Sequence, residues 1–319
     1  MSVVLLEKIA SSSVLTAIEE GMEEGATLIS AYVENSRSAW LTTKFPVAKR
    51  LHRIALLDQP AVRQAVLANF RSQNPTATLC SRLEAEVELV RLAELGKKSG
   101  APYFSILIDV SCMSRSQMGY VMAKIKSIAI DILPAKVRLL YCLAKFVPPP
   151  EQRISYNRRV APVHQAFSGW TTSPGLPLEV IVSLGYERGK AAGAVEYLEP
   201  SGRWVFVPRS PEENYLKHVE IHNKELLGDR NKKFRIDYDV LDPVATYYSL
   251  LSLTKGLAQS SRPVLLPFGP KLFFALSLLV AACVEEAAVW HVDADEDATL
   301  ATESSHSAVF ECMMLSPLV

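Results

Sequence analysis

The stretch Arg262-Pro-Val-Leu-Leu-Pro-Phe-Gly-Pro-Lys271, continued by Leu272-Phe-Phe-Ala-Leu-Ser-Leu-Leu-Val-Ala-Ala282, constrains the fold most. It reads as a buried strand, a tight turn and a buried helix. Gly269 gives the turn its freedom, and Pro270 suits the first helical position, where a missing N–H costs nothing. Lys271 then falls in the first helical turn, beside the positive end of the helix dipole. A cation there is disfavoured by about 0.3–1 kcal/mol. A bound anion shared by the lysine and the free amide groups is the simplest compensation.

At 319 residues the chain has room for about two domains. Lysine plus arginine and aspartate plus glutamate each total 34, so the net charge is zero. That balance gives no general attraction to nucleic acid or to a membrane surface, and any positive site must be local. The apolar run Leu272–Val284 is shorter than the about 20 residues a bilayer span needs, and the N-terminus lacks a basic leader region. Five scattered cysteines (Cys80, Cys112, Cys142, Cys283, Cys312) without a CxxC pair suggest reduced thiols in a cytoplasmic protein, with no metal centre.

Along the first half, a helix is expected over residues 2–24. Strands follow at Leu28–Val33 and Leu51–Leu57, then helices around Val62–Phe70 and Leu83–Leu95. Tyr103–Val110 is a nearly continuous apolar strand of the kind buried on both sides of a parallel sheet. It places Asp109 at its carboxyl end and Arg115 near the start of a helix running to Ile132. Asp109 is either a site carboxylate, the one weak catalytic candidate, or a brace for the turn; Arg115 is either a site cation or a solvated side chain. A strand over Lys136–Cys142 closes this half.

Val147-Pro-Pro-Pro150 marks a break. The expected organisation is a domain over residues 1–147, a connector over 148–177 that carries basic residues, and a second domain over 178–319. Strand and helix patterns alternate through that second domain, ending in a strand at Ala308–Met314 expected at a sheet edge. The pattern predicts an α/β fold of two Rossmann-like units, with mainly parallel sheets flanked by helices.

Several motifs near the strand ends bear on function. Ser210-Pro-Glu-Glu213 is an ordinary helix start with acids in the first turn, whereas Lys190 and Lys271 put cations at theirs. Arg209 lies just outside its helix. Gly185-x-x-x-Gly189-Lys190-Ala191 approaches a P-loop but is one residue short, and Ala191 replaces the magnesium-binding hydroxyl. The turn is therefore either a metal-free phosphate-facing turn with Arg188 and Lys190, or a packing turn. The dinucleotide GxGxxG spacing is absent, so no cofactor is implied. His218 and His222 sit one helical turn apart without the HExxH order, and Asp293-x-Asp295-x-Asp297 lacks the rest of a calcium loop.

Phe268-Gly269-Pro270-Lys271, Ala275, Ala281-Ala282 and Val289-Trp-His-Val292 resemble the last Rossmann unit of CARF-type nucleotide-sensing domains. The doubled glycine and the threonine typical of that family's turn are missing here. The resemblance implies a phosphate contact by Lys271 and a nucleotide-signalling or antiviral-defence setting. The leading expectation is thus a regulatory protein that binds a nucleotide or other phosphorylated small ligand through Arg115, Gly185, Arg188, Lys190, Arg209, Gly269 and Lys271. The alternatives are a nucleotide-acting hydrolase or glycosidase using Asp109 as base, and a non-catalytic subunit working with a protein partner in a multi-component system.

Overall fold

In the computed structural model the described residues are 11–12, 26–32, 51–73, 77–144, 146, 157–171, 173–228, 234–294 and 304–314. The chain divides into two units, Met1–Ala144 with Thr302–Val319, and Lys145–Ala301. Each is a Rossmann-like α/β unit built on its own sheet.

The first sheet contains β1 (Ser11–Ser12), β2 (Thr27–Ala31), β3 (His52–Leu56), β4 (Ala77–Cys80), β5 (Phe104–Asp109), β6 (Ala135–Ala144) and β13 (Ser304–Met314). Its order is β1-β13-β6-β5-β2-β3-β4. Strands β2 to β6 are parallel, while β13 runs antiparallel to β6 and β1 antiparallel to β13. Helices α1 (Pro60–Gln73), α2 (Arg82–Lys98) and α3 (Arg115–Asp131) make the crossovers.

The second sheet contains β7 (Asn157–Pro162), β8 (Leu178–Ser183), β9 (Gly202–Arg209), β10 (Arg235–Asp239), β11 (Arg262–Pro267) and β12 (Ala288–Ala294). Its order is β10-β9-β8-β11-β12-β7, all parallel except β7, which pairs antiparallel with β12. The helices are α4 (Lys190–Leu198), α5 (Glu213–His222), α6 (Lys224–Leu227), α7 (Pro243–Ala258) and α8 (Lys271–Cys283).

Numbered along the chain, the five parallel strands of each unit have the same order, 3-2-1-4-5. Winding therefore reverses between β2 and β5 in one unit and between β8 and β11 in the other. Crevices form at such reversals, beyond the carboxyl ends of the strands.

The domain limits differ from the sequence expectation at both ends of the second unit. Residues 304–314 were expected in the second domain but pair with β6 along its whole length, from Ser304↔Ala144 to Met314↔Ala135. The reason lies in β6 itself, which is buried over nearly all of its ten residues. Left at an edge, it would present an open row of backbone groups and apolar side chains. β13 covers that row, and β1 pairs with it at Phe310 and Val309. The expected connector contains β7. The four-residue strand β4 has no counterpart in the sequence expectation. The helix expected over residues 2–24 lies outside the described residues except at Ser11–Ser12, which form β1. Val147–Pro150 also lies outside them.

Local chemistry explains the helix starts. Ser81 caps α2: its hydroxyl accepts the Glu84 N–H at 3.3 Å, and the Glu84 carboxylate accepts the Ser81 N–H at 2.7 Å. The Ser81 N–H, the Ser81 hydroxyl and the neighbouring Arg63 guanidinium hold the Glu84 carboxyl below the usual range. Ser81→Ala is expected to lower stability by about 1 kcal/mol in urea unfolding at pH 7. Because the folded pKa is depressed, Glu84's contribution is present above about pH 4.3 and is lost as pH falls through the lowered value. The difference between variant and parent should accordingly shrink in acid. Near this cap, burial pushes the Cys80 thiol up to about 11, with Glu84 and Glu88 adding to the shift. Cys80, Cys112 and Cys142 are buried and Cys283 is partly buried, while the Cys312 side chain lies outside the described residues.

The second unit packs a layer on each side of its sheet. Val180, Val182, Val205, Val207, Val264 and Leu266 face Ala191, Ala194 and Val195 of α4 and Val219 of α5. On the other side, Phe273 of α8 meets Phe206 and Tyr238 with ring centroids 5.2 and 5.0 Å apart. Every residue of α8 from Leu272 to Ala282 is buried. The apolar run is thus a core helix, each large side chain contributing about 1.5–3 kcal/mol by leaving water. Among the described residues no helix is long and apolar enough to cross a membrane.

Candidate anion-binding crevice of the second unit

Strands β8 and β11 are hydrogen-bonded neighbours, so the turns that leave them emerge side by side. The first is Leu184-Gly185-Tyr186-Glu187-Arg188-Gly189, leading into Lys190. The second is Phe268-Gly269-Pro270, leading into Lys271. A β-carbon on Gly185 would stand 2.8 Å from the Gly269 amide nitrogen and 3.1 Å from its α-carbon. A β-carbon on Gly269 would overlap the Leu184 carbonyl oxygen. The two backbones therefore touch, and only glycine permits it. Gly269 also has φ +75°, a region that favours glycine.

The helix starts are uneven across the molecule. Side chains cap α2 (Ser81), α3 (Ser114) and α7 (Asp242). Helices α4, α5, α6 and α8 have no side-chain cap; α4 and α8, which begin at Gly189 and Pro270, also have no acid in the first turn. Each opens instead on a lysine, Lys190 or Lys271, and both lysines are partly buried. They start on opposite sides of the sheet but at the same carboxyl edge, flanking the point where winding reverses.

The remaining expected site residues fall differently. Arg188 is exposed in the first turn. Arg209 ends β9 and pairs with Asp237 at 3.2 Å, and Asp237 also accepts from Arg235. Part of Arg209's charge is therefore answered within the protein. Asp109 and Arg115 belong to the other unit. Asp109 ends β5, is 2% exposed, and accepts the Ser111 N–H at 2.9 Å. That contact is the turn brace. Arg115 is the first residue of α3, behind the Ser114–Gln117 capping box.

Several residues that shape the crevice were not singled out for it from the sequence. Asn223, buried at the end of α5, donates to the Gly185 carbonyl at 2.8 Å and to the Val219 carbonyl at 2.7 Å. His222 Nδ1 contacts the Tyr186 carbonyl. These two side chains strap the first turn to α5. Tyr215 packs edge-on to Tyr186 at 5.6 Å, and its hydroxyl lies 3.2 Å from where a β-carbon on Gly269 would project. Phe146 and His218 extend the ring cluster. His218 and His222, one helical turn apart, meet edge to face at 5.6 Å, with no third metal-ligating partner among the described residues. Glu187 closes the arrangement from above, its carboxylate occupying the space over Gly185.

Asn157 borders the start of α4, donating to the Lys190 carbonyl at 3.0 Å. Ser210 does not cap α5 as expected: the helix begins at Glu213, and the Ser210 hydroxyl accepts the Glu212 N–H at 3.2 Å. An open groove of about 520 Å³ between Trp204 and the second half of α7 lies toward the opposite, amino edge of the sheet.

No family model matches this sequence, and no curated protein matches it. Among solved structures the chain matches coclaurine N-methyltransferase bound to N-methylheliamine and SAH. The identity is 12% and the TM-score 0.27, with 94% of this chain and 68% of that chain covered. The fold assignment stands on this chain's own strand order.

Proposed function

We propose that the second unit binds a nucleotide or another phosphorylated small ligand in this crevice and acts as a regulatory protein. The observation that carries the reading is the backbone contact between the Gly185 and Gly269 turns. It sets two uncapped helix starts, each opened by a lysine, around one opening. Helix-start amide groups and lysine side chains beside a glycine-lined gap are suited to phosphate oxygens, which accept several short charge-assisted bonds at once.

A ligand held by both turns links α4 on one side of the sheet to α8 on the other. If it prefers one spacing of those turns, its binding shifts their population, which is the elementary step of sensing. The resemblance of Phe268–Lys271 and the following helix to CARF-type domains adds a nucleotide-signalling or antiviral-defence setting to this proposal.

Calorimetric titration with AMP and ADP tests it. Lys271→Ala and Lys190→Ala are each expected to weaken binding about tenfold, a loss of about 1.4 kcal/mol. Unchanged affinity in both variants would remove the lysines from the site. Native mass spectrometry of the protein from its own host adds a second check, since a co-purified protein partner without any small ligand favours a subunit role instead.

A further inference from the structure

We propose that Glu187 is a built-in occupant of the crevice, an internal carboxylate that holds the anion seat until a ligand displaces it. This inference rests on the anion-binding reading above. Its basis is a single point in space. A β-carbon on Gly185 would overlap the Glu187 Oε2 atom, and the Gly269 amide nitrogen lies 2.8 Å from that same position. The carboxylate thus stands over one glycine turn and beside the backbone of the other.

The surrounding sequence makes that position unusual. Helix α8 has no side-chain cap and no acid in its own first turn, and neither has α4. The acid instead comes from the turn between β8 and α4, three residues ahead of Lys190. In α2 the cap comes from the helix start itself, Ser81 and Glu84, joined by Asp58 from an earlier turn, which accepts the Arg82 N–H at 3.1 Å. Glu187 sits on a segment with glycines on both sides, Gly185 and Gly189. Gly189 has φ +75° and open space around it, so the turn has room to rearrange. A side chain that fills an anion position from a turn of this kind can leave it.

The distinction from simple charge repulsion is quantitative. If Glu187 must vacate the seat, apparent affinity equals intrinsic affinity multiplied by the vacant fraction. Removing the occupant then strengthens every ligand by the same factor. If Glu187 only repels anions from a distance, the gain grows with ligand charge. A seat filled about nine-tenths of the time gives a factor of about ten.

The experiment measures AMP and ADP affinities for the full chain and for Glu187→Gln at constant ionic strength. Glu196→Gln, an exposed acid on α4, serves as the control. The expected result is an about tenfold gain for both ligands in E187Q, equal within error, and none in E196Q. Unfolding temperature gives an independent reading: E187Q should melt lower than the parent without ligand and recover more on adding either nucleotide. A gain that rises from AMP to ADP, or no gain, overturns the displacement, while binding that still depends on Lys271 leaves the anion site standing. Absence of binding to parent and variant alike overturns both. Should E187Q fail to fold, Glu187→Asp keeps the charge but shortens its reach, and an equal gain for both ligands is expected again; no gain overturns the proposal.

Discussion

Replacing Gly269 with alanine is expected to destabilise the second unit by about 2–4 kcal/mol and to abolish ligand binding. Two costs combine. The residue has φ +75°, where an L side chain is strained by about 1–2 kcal/mol. The added methyl would also fall on the Leu184 carbonyl oxygen, which is backbone and cannot swing aside as a flexible side chain could. Gly189→Ala separates the two. Its φ is also +75° but nothing lies within 4 Å of the added carbon, so only the backbone cost of about 1–2 kcal/mol should appear. Tryptophan fluorescence suits the measurement in urea, because Trp170, Trp204 and Trp290 belong to the second unit and only Trp40 to the first. Equal losses in the two variants would mean that the turns do not touch.

Phe273→Ala should cost more, about 3–5 kcal/mol, because it removes a fully buried ring and leaves a cavity. The ring is shared: it meets Phe206 of β9 and Tyr238 of β10, and the Tyr238 hydroxyl bonds Ser183 of β8 at 3.1 Å. One truncation therefore loosens α8 against three strands at once. Urea midpoints should fall with an unchanged slope, the signature of lost stability without altered exposure on unfolding. Phe273→Leu keeps most of the volume and should lose less than half as much. Since α8 carries Lys271 at its start, nucleotide affinity should decline in the same order as stability. A fall in the slope itself would point instead to a second unit that no longer unfolds as one piece.

Much of this architecture could be read from contiguous residues. The run Leu272–Ala282 is apolar on every side, and a helix with no polar face has only the interior to occupy. Strand β5 declares itself in the same way, being buried at all six positions. What escaped was either too short or too distant. β4 is only Ala-Thr-Leu-Cys, with a single buried residue, Cys80, and offers almost no period to detect. β13 has an unremarkable pattern of its own; its place is dictated by the unfinished side of β6, far earlier in numbering, as the pairing of Met314 with Ala135 makes plain.

The crevice divides along the same line. Gly185, Lys190, Gly269 and Lys271 stood out because glycine and lysine at those positions conflict with ordinary helix starts. Arg209 stood out for its place beyond a strand, but its pairing with Asp237 depends on the neighbouring strand and was not legible. Glu187 carries no signal of its own, since an acid in a turn is commonplace and only the adjoining backbone gives it meaning. Asn223 reaches the Gly185 carbonyl across 38 residues, and no local signal marks it.

The placement of β13 also governs the order in which the protein can take shape. A ribosome releases β2 through β6 early, yet the outer flank of β6 stays bare until everything from Lys145 to Ala301 has been made. At about 5–20 residues per second that interval lasts from several seconds to half a minute. The later-made unit has all its strands before the earlier one does, so a nascent chain must guard an incomplete, adhesive border while its neighbour matures.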